Sequence, residues 1–276
     1  MNILDKIVAH KKQEVAQRRE LIPAPKLAQS LYYDAPTVSL NKYLRRPDKA
    51  GIIAEIKRAS PSKGVINQYI SVEEISLGYM QAGASALSVL TDQKFFQGSL
   101  EDLQTARAFN YCPILRKDFI IDEYQIIEAR AAGADAVLLI AAILEPVQIK
   151  QLAAFAASLG LEVLLEIHAR AELPDNLENI SVIGVNNRNL TDFTVDVAAS
   201  LALAEILPAE ICKVSESGIS DAATICRLRA AGFQGFLIGE AFMKHSRPHE
   251  ACADLIRQVQ AQQQIDVINA RPATIL

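Results

Sequence analysis

Short apolar runs alternate with amphipathic stretches along most of the chain. A continuous apolar run of this kind is typical of a parallel strand that is buried on both faces. Eight strands is also the number that closes a small parallel barrel. The eight runs occupy residues 51–56, 86–90, 114–117, 136–140, 162–166, 182–186, 212–216 and 236–238.

The stretches between the runs have the pattern of helices, clearest over residues 122–132 and 146–159. Three of them end in an alanine followed by Gly83, Gly133 or Gly232, and a new apolar run begins soon afterwards. Glycine at that position supplies the left-handed residue that ends a helix. The repeated unit predicts an α/β protein with the (β/α)8 TIM-barrel fold. An open doubly wound sheet would share these local signals, but no Gly-x-Gly-x-x-Gly turn follows the first run.

The region before the barrel has a different pattern. Apolar residues at helical spacing among charged ones predict an amphipathic helix over residues 1–19, which we expect to cap one end of the barrel without taking part in the chemistry. Prolines break residues 23–49 into connections and short helical turns. We therefore predict one domain over residues 1–276, in which 1–50 form an N-terminal helical extension, 51–262 the barrel with a last helix over 248–262, and 263–276 a tail.

Composition narrows the class of protein. The chain has 276 residues, half of them hydrophobic, and a formal net charge of −4. It has no basic stripe for a nucleic acid and no apolar stretch of membrane-spanning length. Its four cysteines form no Cys-x-x-Cys pair and no metal-binding spacing with the four histidines. These features predict a cytoplasmic protein with reduced thiols, without a metal site, and with neither nucleic acid nor membrane as a partner.

Polar side chains end several of the apolar runs, and in TIM barrels such residues form the active site. Glu55 and Lys57 are two residues apart and share one face of the first strand. An ion pair without any catalytic role would explain that pair alone. Charged and amide side chains at four further strand ends are harder to explain in this way, because all would converge on one mouth and perturb one another's pKa values. These are Lys117, Glu166, Asn186 and Glu216.

A phosphate site is predicted after the last two strands. Ser217 and Gly218 follow the seventh strand, and Gly239 follows the eighth at the start of a short helical stretch. Exposed backbone N–H groups at such places hold phosphates in many barrels. Ser60 after the first strand adds a hydroxyl. Each glycine alone is equally explained as a turn residue. Phenylalanines in neighbouring loops suit an aromatic ring, although core packing explains any one of them.

Five segments in order closely resemble the motifs of the indole-3-glycerol phosphate synthase family: 55–64, 89–99, 115–120, 184–190 and 215–219. The resemblance extends from the N-terminal helix to the last barrel helix. It implies that 1-(2-carboxyphenylamino)-1-deoxyribulose 5-phosphate is converted to indole-3-glycerol phosphate with loss of carbon dioxide and water, a step of tryptophan biosynthesis. It implies a phosphorylated small molecule as the substrate and no cofactor.

The resemblance also implies roles for individual residues. Lys117 is expected to be the general acid and Glu166 the general base. Lys57 would pair with the substrate carboxylate and share the acid role, while Glu55 positions the lysines and Asn186 donates a hydrogen bond. Ser217 counts among the catalytic residues and, with Ser60, Gly218 and Gly239, would cradle the phosphate. The remaining substrate-binding positions are Phe96, Phe119, Leu138, Arg188, Leu190 and Glu216.

Two departures from the family pattern stand out. The stretch between Glu166 and Asn186 is short and contains Pro174, so we expect an irregular fifth helix. Glu240 stands where some relatives have a small residue near the phosphate, and its carboxylate must point away from the anion. Two other functions stay open at this point: a lysine-dependent aldolase on the same fold, and an inactive barrel that binds a phosphorylated metabolite or a pathway partner. We expect a monomer or a weak homo-oligomer.

Overall fold

Eight parallel strands close into a barrel. The computed structural model describes residues 2–189 and 193–269, with side chains through residue 265. Each strand pairs with its neighbours in sequence, and the first pairs with both the second and the eighth. The predicted fold is confirmed, and every strand end lies within one residue of its prediction. The strands are β1 Ile52–Ile56, β2 Ala86–Leu90, β3 Ile114–Lys117, β4 Ala136–Ile140, β5 Glu162–Ile167, β6 Val182–Asn186, β7 Cys212–Glu216 and β8 Gly235–Ile238.

Helices surround the barrel and precede it. Gly83, Gly133 and Gly232 all have positive φ angles, as predicted from their place between a helix and the next strand. A small antiparallel ladder of Ala59–Ser60 with Gly64–Val65 lies in the loop after β1. The helices are α1 Ile3–Leu21, α2 Ala24–Leu27, α3 Leu40–Leu44, α4 Val72–Gln81, α5 Gln93–Phe96, α6 Leu100–Phe109, α7 Glu123–Ala132, α8 Pro146–Ser158, α9 Ala198–Ala204, α10 Ala222–Ala230, α11 Glu240–Met243 and α12 Pro248–Asn269.

The fifth βα unit is irregular, as expected. Between β5 and β6 the described chain forms one 3₁₀ turn, Arg170–Glu172, where the other units have an α-helix. Pro174 has no backbone N–H and disfavours helical geometry at the preceding residue, so the turn cannot continue into a helix. A short, open connection therefore follows the end of β5.

The far end of the chain differs from the prediction. Helix α12 continues through Asn269, past the expected end at Gln262, so the first part of the predicted tail is helical. Residues 270–276 of that tail lie outside the part of the chain that the structure describes. No helix among the described residues is long and apolar enough to cross a membrane.

The barrel interior is closed from below by the N-terminal extension. Leu40 and Leu44 of α3 are buried against inward-facing residues of the strands, among them Ile53 and Leu115. Glu162 at the start of β5 accepts hydrogen bonds from the backbone N–H of Asn41 and from the hydroxyl of Ser39. The side chains between these leucines and the far mouth fill the barrel, and a cavity opens at the carboxyl ends of the strands.

Helix α1 is fixed over that carboxyl end by a buried lysine. The ammonium of Lys11 lies 2.9 Å from Asp92, 3.0 Å from Asp118 and 3.0 Å from Glu14. Burial alone would lower the pKa of Lys11, but the three carboxylates outweigh it and raise that pKa. Asp118 directly follows Lys117, so the same contact joins α1 to the loop beside the predicted acid. Two buried ion pairs therefore hold the predicted cap, helix α1, on the barrel.

Candidate functional site

A cavity of about 630 Å³ opens at the carboxyl end of the barrel. Every predicted site residue that the structure describes lines it. Leu190, the remaining prediction, lies outside the described residues. The lining set contains Glu55, Lys57, Ser60, Phe96, Lys117, Phe119, Leu138, Glu166, Asn186, Arg188, Glu216, Ser217, Gly218 and Gly239.

Lys117 is held between two carboxylates, one from β5 and one from β7. Its Nζ atom lies 3.1 Å from Oε2 of Glu166 and 3.3 Å from Oε2 of Glu216. Burial on its own would lower the pKa of Lys117, but Glu166, Glu216 and Glu55 together raise it. The lysine at the end of β3 is therefore an ammonium at neutral pH. It faces the cavity as a preformed proton donor.

A second ion pair is formed at the end of β1, between Glu55 and the residue that follows the strand, Lys57. The Nζ atom of Lys57 lies 2.5 Å from Oε1 of Glu55, which is buried. The alternation of a strand places both side chains on the cavity side, as the spacing in the sequence predicts. The absence of a side chain at Gly239 makes room for Glu55, because a Cβ atom there would collide with the Glu55 carboxylate. Gly239, the residue after β8, thus leaves space for the ion pair between Glu55 and Lys57.

Glu166 and Glu216 are buried neighbours in different protonation states. Burial would raise the pKa of Glu166, but Lys117, His168 and the hydrogen bond from Asn186 lower it to about 2. The amide of Asn186 donates to Oε1 of Glu166 at 3.1 Å. For Glu216, burial and the nearby charges of Glu166 and Glu55 raise the pKa to about 8. At neutral pH Glu166 is an anion and Glu216 carries a proton.

The sequence analysis missed His168. This residue follows β5, and its Nε2 atom lies 3.5 Å from Oε1 of Glu166. Its Nδ1 atom lies 3.3 Å from Glu172 in the 3₁₀ turn. The signal was present, because His168 stands two residues after Glu166 just as Lys57 stands two residues after Glu55.

The loop after β7 is tied to the loop after β6. The side-chain amide of Asn187 donates a hydrogen bond to the backbone oxygen of Ser217 at 3.0 Å. The backbone N–H of Asn187 donates to the backbone oxygen of Glu216 at 2.9 Å. Ser217 and Gly218 both have positive φ angles, +68° and +76°. Both residues of this bend line the cavity.

Cations line the same side of the cavity. Glu240, the first residue of α11, lies 3.3 Å from Nζ of Lys63 and 3.5 Å from Nη2 of Arg188. Its carboxylate therefore joins the loop after β1 to the loop after β6. The carboxylate of Glu240, which we expect to avoid a phosphate, contacts these two cations.

Apolar residues form the opposite wall. The rings of Phe96 and Phe119 lie with centroids 5.9 Å apart in a tilted arrangement, and Leu138 of β4 lies beside them on the cavity. Helix α1 completes this wall. The helix lines the cavity with Ile3, Leu4 and Ile7, three apolar side chains without acid–base chemistry.

The chain is similar to proteins of one named family. The family profile described as indole-3-glycerol phosphate synthase matches residues 4–255. A protein of that name from Bacteroides thetaiotaomicron is 51% identical over 259 residues, which cover 94% of this chain and 99% of that protein. One from Variovorax paradoxus is 45% identical over 268 residues, with 93% and 99% covered.

Solved structures with low sequence identity share the fold. The tryptophan synthase α-subunit of Pyrococcus furiosus superposes with a TM-score of 0.59 at 12% identity, covering 78% of this chain and 99% of that chain. For 3-hexulose-6-phosphate synthase of Salmonella typhimurium the TM-score is 0.58 at 11% identity, with 76% and 99% covered. At these identities the likeness concerns the barrel alone.

Proposed function

Since the chain belongs to the indole-3-glycerol phosphate synthase family, the carboxy-lyases of tryptophan biosynthesis, we propose that Lys117 is the general acid and Glu166 the general base of its reaction. The observation that carries this proposal is the ion pair between these two side chains on the cavity wall, 3.1 Å apart. A charged donor and an ionised acceptor stand side by side, where one substrate can meet both.

Lys117 suits the ring-closing step. The ring carbon that bears the substrate carboxylate attacks the ketone, and negative charge develops on the ketone oxygen. A buried ammonium neutralises that charge by giving up a proton. The bond to the carboxylate then breaks, carbon dioxide leaves, and its electron pair restores the aromatic ring. The raised pKa of Lys117 keeps the proton in place until the oxyanion forms.

Glu166 suits the dehydration. After decarboxylation, the hydroxyl on the new ring leaves as water and the adjacent methylene carbon loses a proton. Glu166 is the ionised carboxylate of the buried pair and can take that proton, whereas Glu216 is already protonated at neutral pH. The hydrogen bond from Asn186 fixes one oxygen of Glu166 and leaves the other beside Lys117.

The remaining contacts orient the two ends of the substrate. Lys57, which forms an ion pair with Glu55, would pair with the carboxylate on the aromatic ring of the substrate. The ring itself would lie against Phe96 and Phe119. The phosphate would lie at the opposite end of the cavity, on the backbone of Gly218 and Gly239 and the hydroxyls of Ser60 and Ser217, near Arg188. Anchoring both charged ends brings the reacting atoms together in one geometry.

Imine chemistry of the aldolase type is disfavoured by the same electrostatics. A lysine must be a neutral amine to attack a carbonyl, and active-site lysines that do so have lowered pKa values. The pKa of Lys117 is shifted in the opposite direction.

We also propose that the protein is a cytoplasmic enzyme that acts on a phosphorylated small molecule. It would be a monomer or a weak homo-oligomer and would not bind nucleic acid. All four cysteines are free thiols, which supports the compartment.

The test is a fluorescence assay for indole-3-glycerol phosphate with 1-(2-carboxyphenylamino)-1-deoxyribulose 5-phosphate as substrate. Wild type is compared with Lys117→Ala and with Lys150→Ala, which alters an exposed lysine on α8. We expect Lys117→Ala to reduce kcat by about 10²- to 10⁴-fold while circular dichroism shows a folded protein. A Lys117→Ala variant as active as Lys150→Ala would refute the assignment of the acid. Trapping of a covalent adduct by borohydride would support the aldolase chemistry instead.

A further inference from the structure

His168 lies beside Glu166, just after the end of β5. Glu166 lines the cavity, while His168 is not among the described residues that do so. One oxygen of Glu172 accepts the backbone N–H of His168 at 2.7 Å and lies 3.3 Å from its Nδ1 atom. The other ring nitrogen, Nε2, is buried and makes no hydrogen bond with the described residues, but lies 3.5 Å from Oε1 of Glu166. The three side chains form a row: Glu172, His168, Glu166.

The charges of the site give this row a purpose. Three buried carboxylates, Glu55, Glu166 and Glu216, converge on two ammonium groups, Lys57 and Lys117. One carboxylate is therefore in excess, and in a buried site an uncompensated charge is costly. Glu216, whose pKa is raised, removes that excess by holding a proton. Glu166 stays ionised, and the imidazole of His168 faces Oε1 of Glu166, the oxygen that Lys117 does not contact.

We infer that His168, held by Glu172, is a positioning residue for Glu166 that keeps this carboxylate ionised and turned toward the substrate during the dehydration step. The inference rests on the proposed role of Glu166 as the base. It adds to the site a residue that acts through its contact with Glu166.

The carboxyl groups that act on His168 are Glu166 on β5, Glu172 in the 3₁₀ turn and, more weakly, Glu216 on β7. Burial would lower the pKa of His168, but the Glu172 hydrogen bond and the carboxylate charges together raise it. Glu166 and Glu172 respond in the opposite direction, and His168 contributes to the lowered pKa of each. Lys117 contacts the other oxygen of Glu166, so this carboxylate lies between an ammonium and an imidazole.

The first experiment measures the coupling without using activity. The imidazole resonances of His168 are followed by NMR over pH 5–9 in wild type, Glu166→Gln and Glu172→Gln, and are assigned by their loss in His168→Gln. Removal of one neighbouring carboxylate should lower the titration midpoint of His168 by about one pH unit. An unchanged midpoint in Glu166→Gln would show that the imidazole does not respond to Glu166, and would overturn the inference.

The second experiment asks which chemical step is affected. Wild type, His168→Gln and His245→Gln, a matched control at an exposed histidine, are assayed with substrate that carries protium or deuterium at the methylene carbon. We expect His168→Gln to lower kcat about tenfold and to raise the deuterium isotope effect on kcat, because removal of that proton by Glu166 becomes slower. His245→Gln should behave as wild type.

The outcomes separate this inference from the proposed function. A His168→Gln enzyme with a lower kcat but an unchanged isotope effect would reduce His168 to a packing residue. Wild-type kinetics in His168→Gln would overturn the inference outright. If the Glu166→Gln enzyme itself keeps full activity, the assignment of the base has failed. Glu172→Gln gives a second variant that leaves the imidazole in place, and it should change kcat and the isotope effect in the same direction as His168→Gln but by less.

Discussion

The ammonium of Lys117 lies 3.3 Å from Oε2 of Glu216, a carboxyl group whose pKa is nevertheless raised to about 8. A single cation cannot compensate both Glu166 and Glu216 in a buried site, and Glu166 has additional donors. Glu216 therefore carries the proton. Its Oε1 atom is buried and makes no hydrogen bond with the described residues. The site thus stores one proton in its resting state, directly beside the proposed acid.

We predict that Glu216 makes folding stability fall as pH rises. Its pKa is about 4.5 in the unfolded chain and about 8 in the folded protein. Between these values the folded state binds more protons, so its stability decreases as pH rises and the whole penalty is present above about pH 8. Glu216→Gln resembles the protonated form and lacks this penalty. In urea titrations, the stability of Glu216→Gln relative to wild type should increase by about 2–4 kcal/mol between pH 5 and pH 9.

A matched variant controls for a general loss of acidic groups. Glu205→Gln changes an exposed glutamate after α9 and should keep a constant difference from wild type over this pH range. If the difference between Glu216→Gln and wild type is also constant, then the pKa of Glu216 is not raised in the folded protein.

The anchor of α1 gives a prediction for stability and substrate binding. Lys11→Met leaves Asp92 and Asp118 buried without this ammonium, although Arg116 still lies 3.0 Å from Asp118. Loss of one partner from a buried ion pair costs about 3–5 kcal/mol, and the remaining arginine places the expected loss at the lower end. The KM should also rise, because α1 lines the cavity. Chemical denaturation and steady-state kinetics measure the two effects.

Lys12→Met is the control for this helix, since Lys12 is the next residue and is exposed. It should leave stability within about 0.5 kcal/mol of wild type. Equal effects of the two substitutions would mean that the buried ion pairs of Lys11 do not hold the helix.

Strand ends were predictable because burial and alternation are local properties of a sequence. Lys117 and Glu166 each end an apolar run, and closure of a barrel brings all such ends to one mouth. The pattern therefore predicts which side chains share a cavity even though it contains no distances. The irregular fifth unit was predictable for a similar reason, since Pro174 acts on its immediate neighbours.

Contacts across the fold were not predictable in this way. The helical pattern of α1 identifies an apolar face, but the surface that Ile7 contacts depends on where Lys11 finds its buried partners, far away in the chain. His168 was overlooked because a lone histidine after a strand has no meaning until Glu172 is known to turn back onto it. The protonation states of Glu166 and Glu216 require the distances themselves.

Glu240 gives a prediction for phosphate affinity. Its carboxylate is a negative charge on the cavity wall and contacts two cations, Lys63 and Arg188, that a phosphate could use. Substitution by glutamine removes the charge and releases both cations at similar side-chain size. Because the contacts are partly exposed, each is worth about 0.2–1 kcal/mol. We therefore expect Glu240→Gln to lower the KM for the phosphorylated substrate and the inhibition constant of inorganic phosphate by about two- to fivefold.

Both decreases should become smaller as ionic strength rises. Glu250→Gln, which removes an exposed carboxylate that pairs with Arg247 on α12, should change neither constant. A higher KM in Glu240→Gln would mean that the carboxylate organises the two loops for the phosphate rather than competing with it.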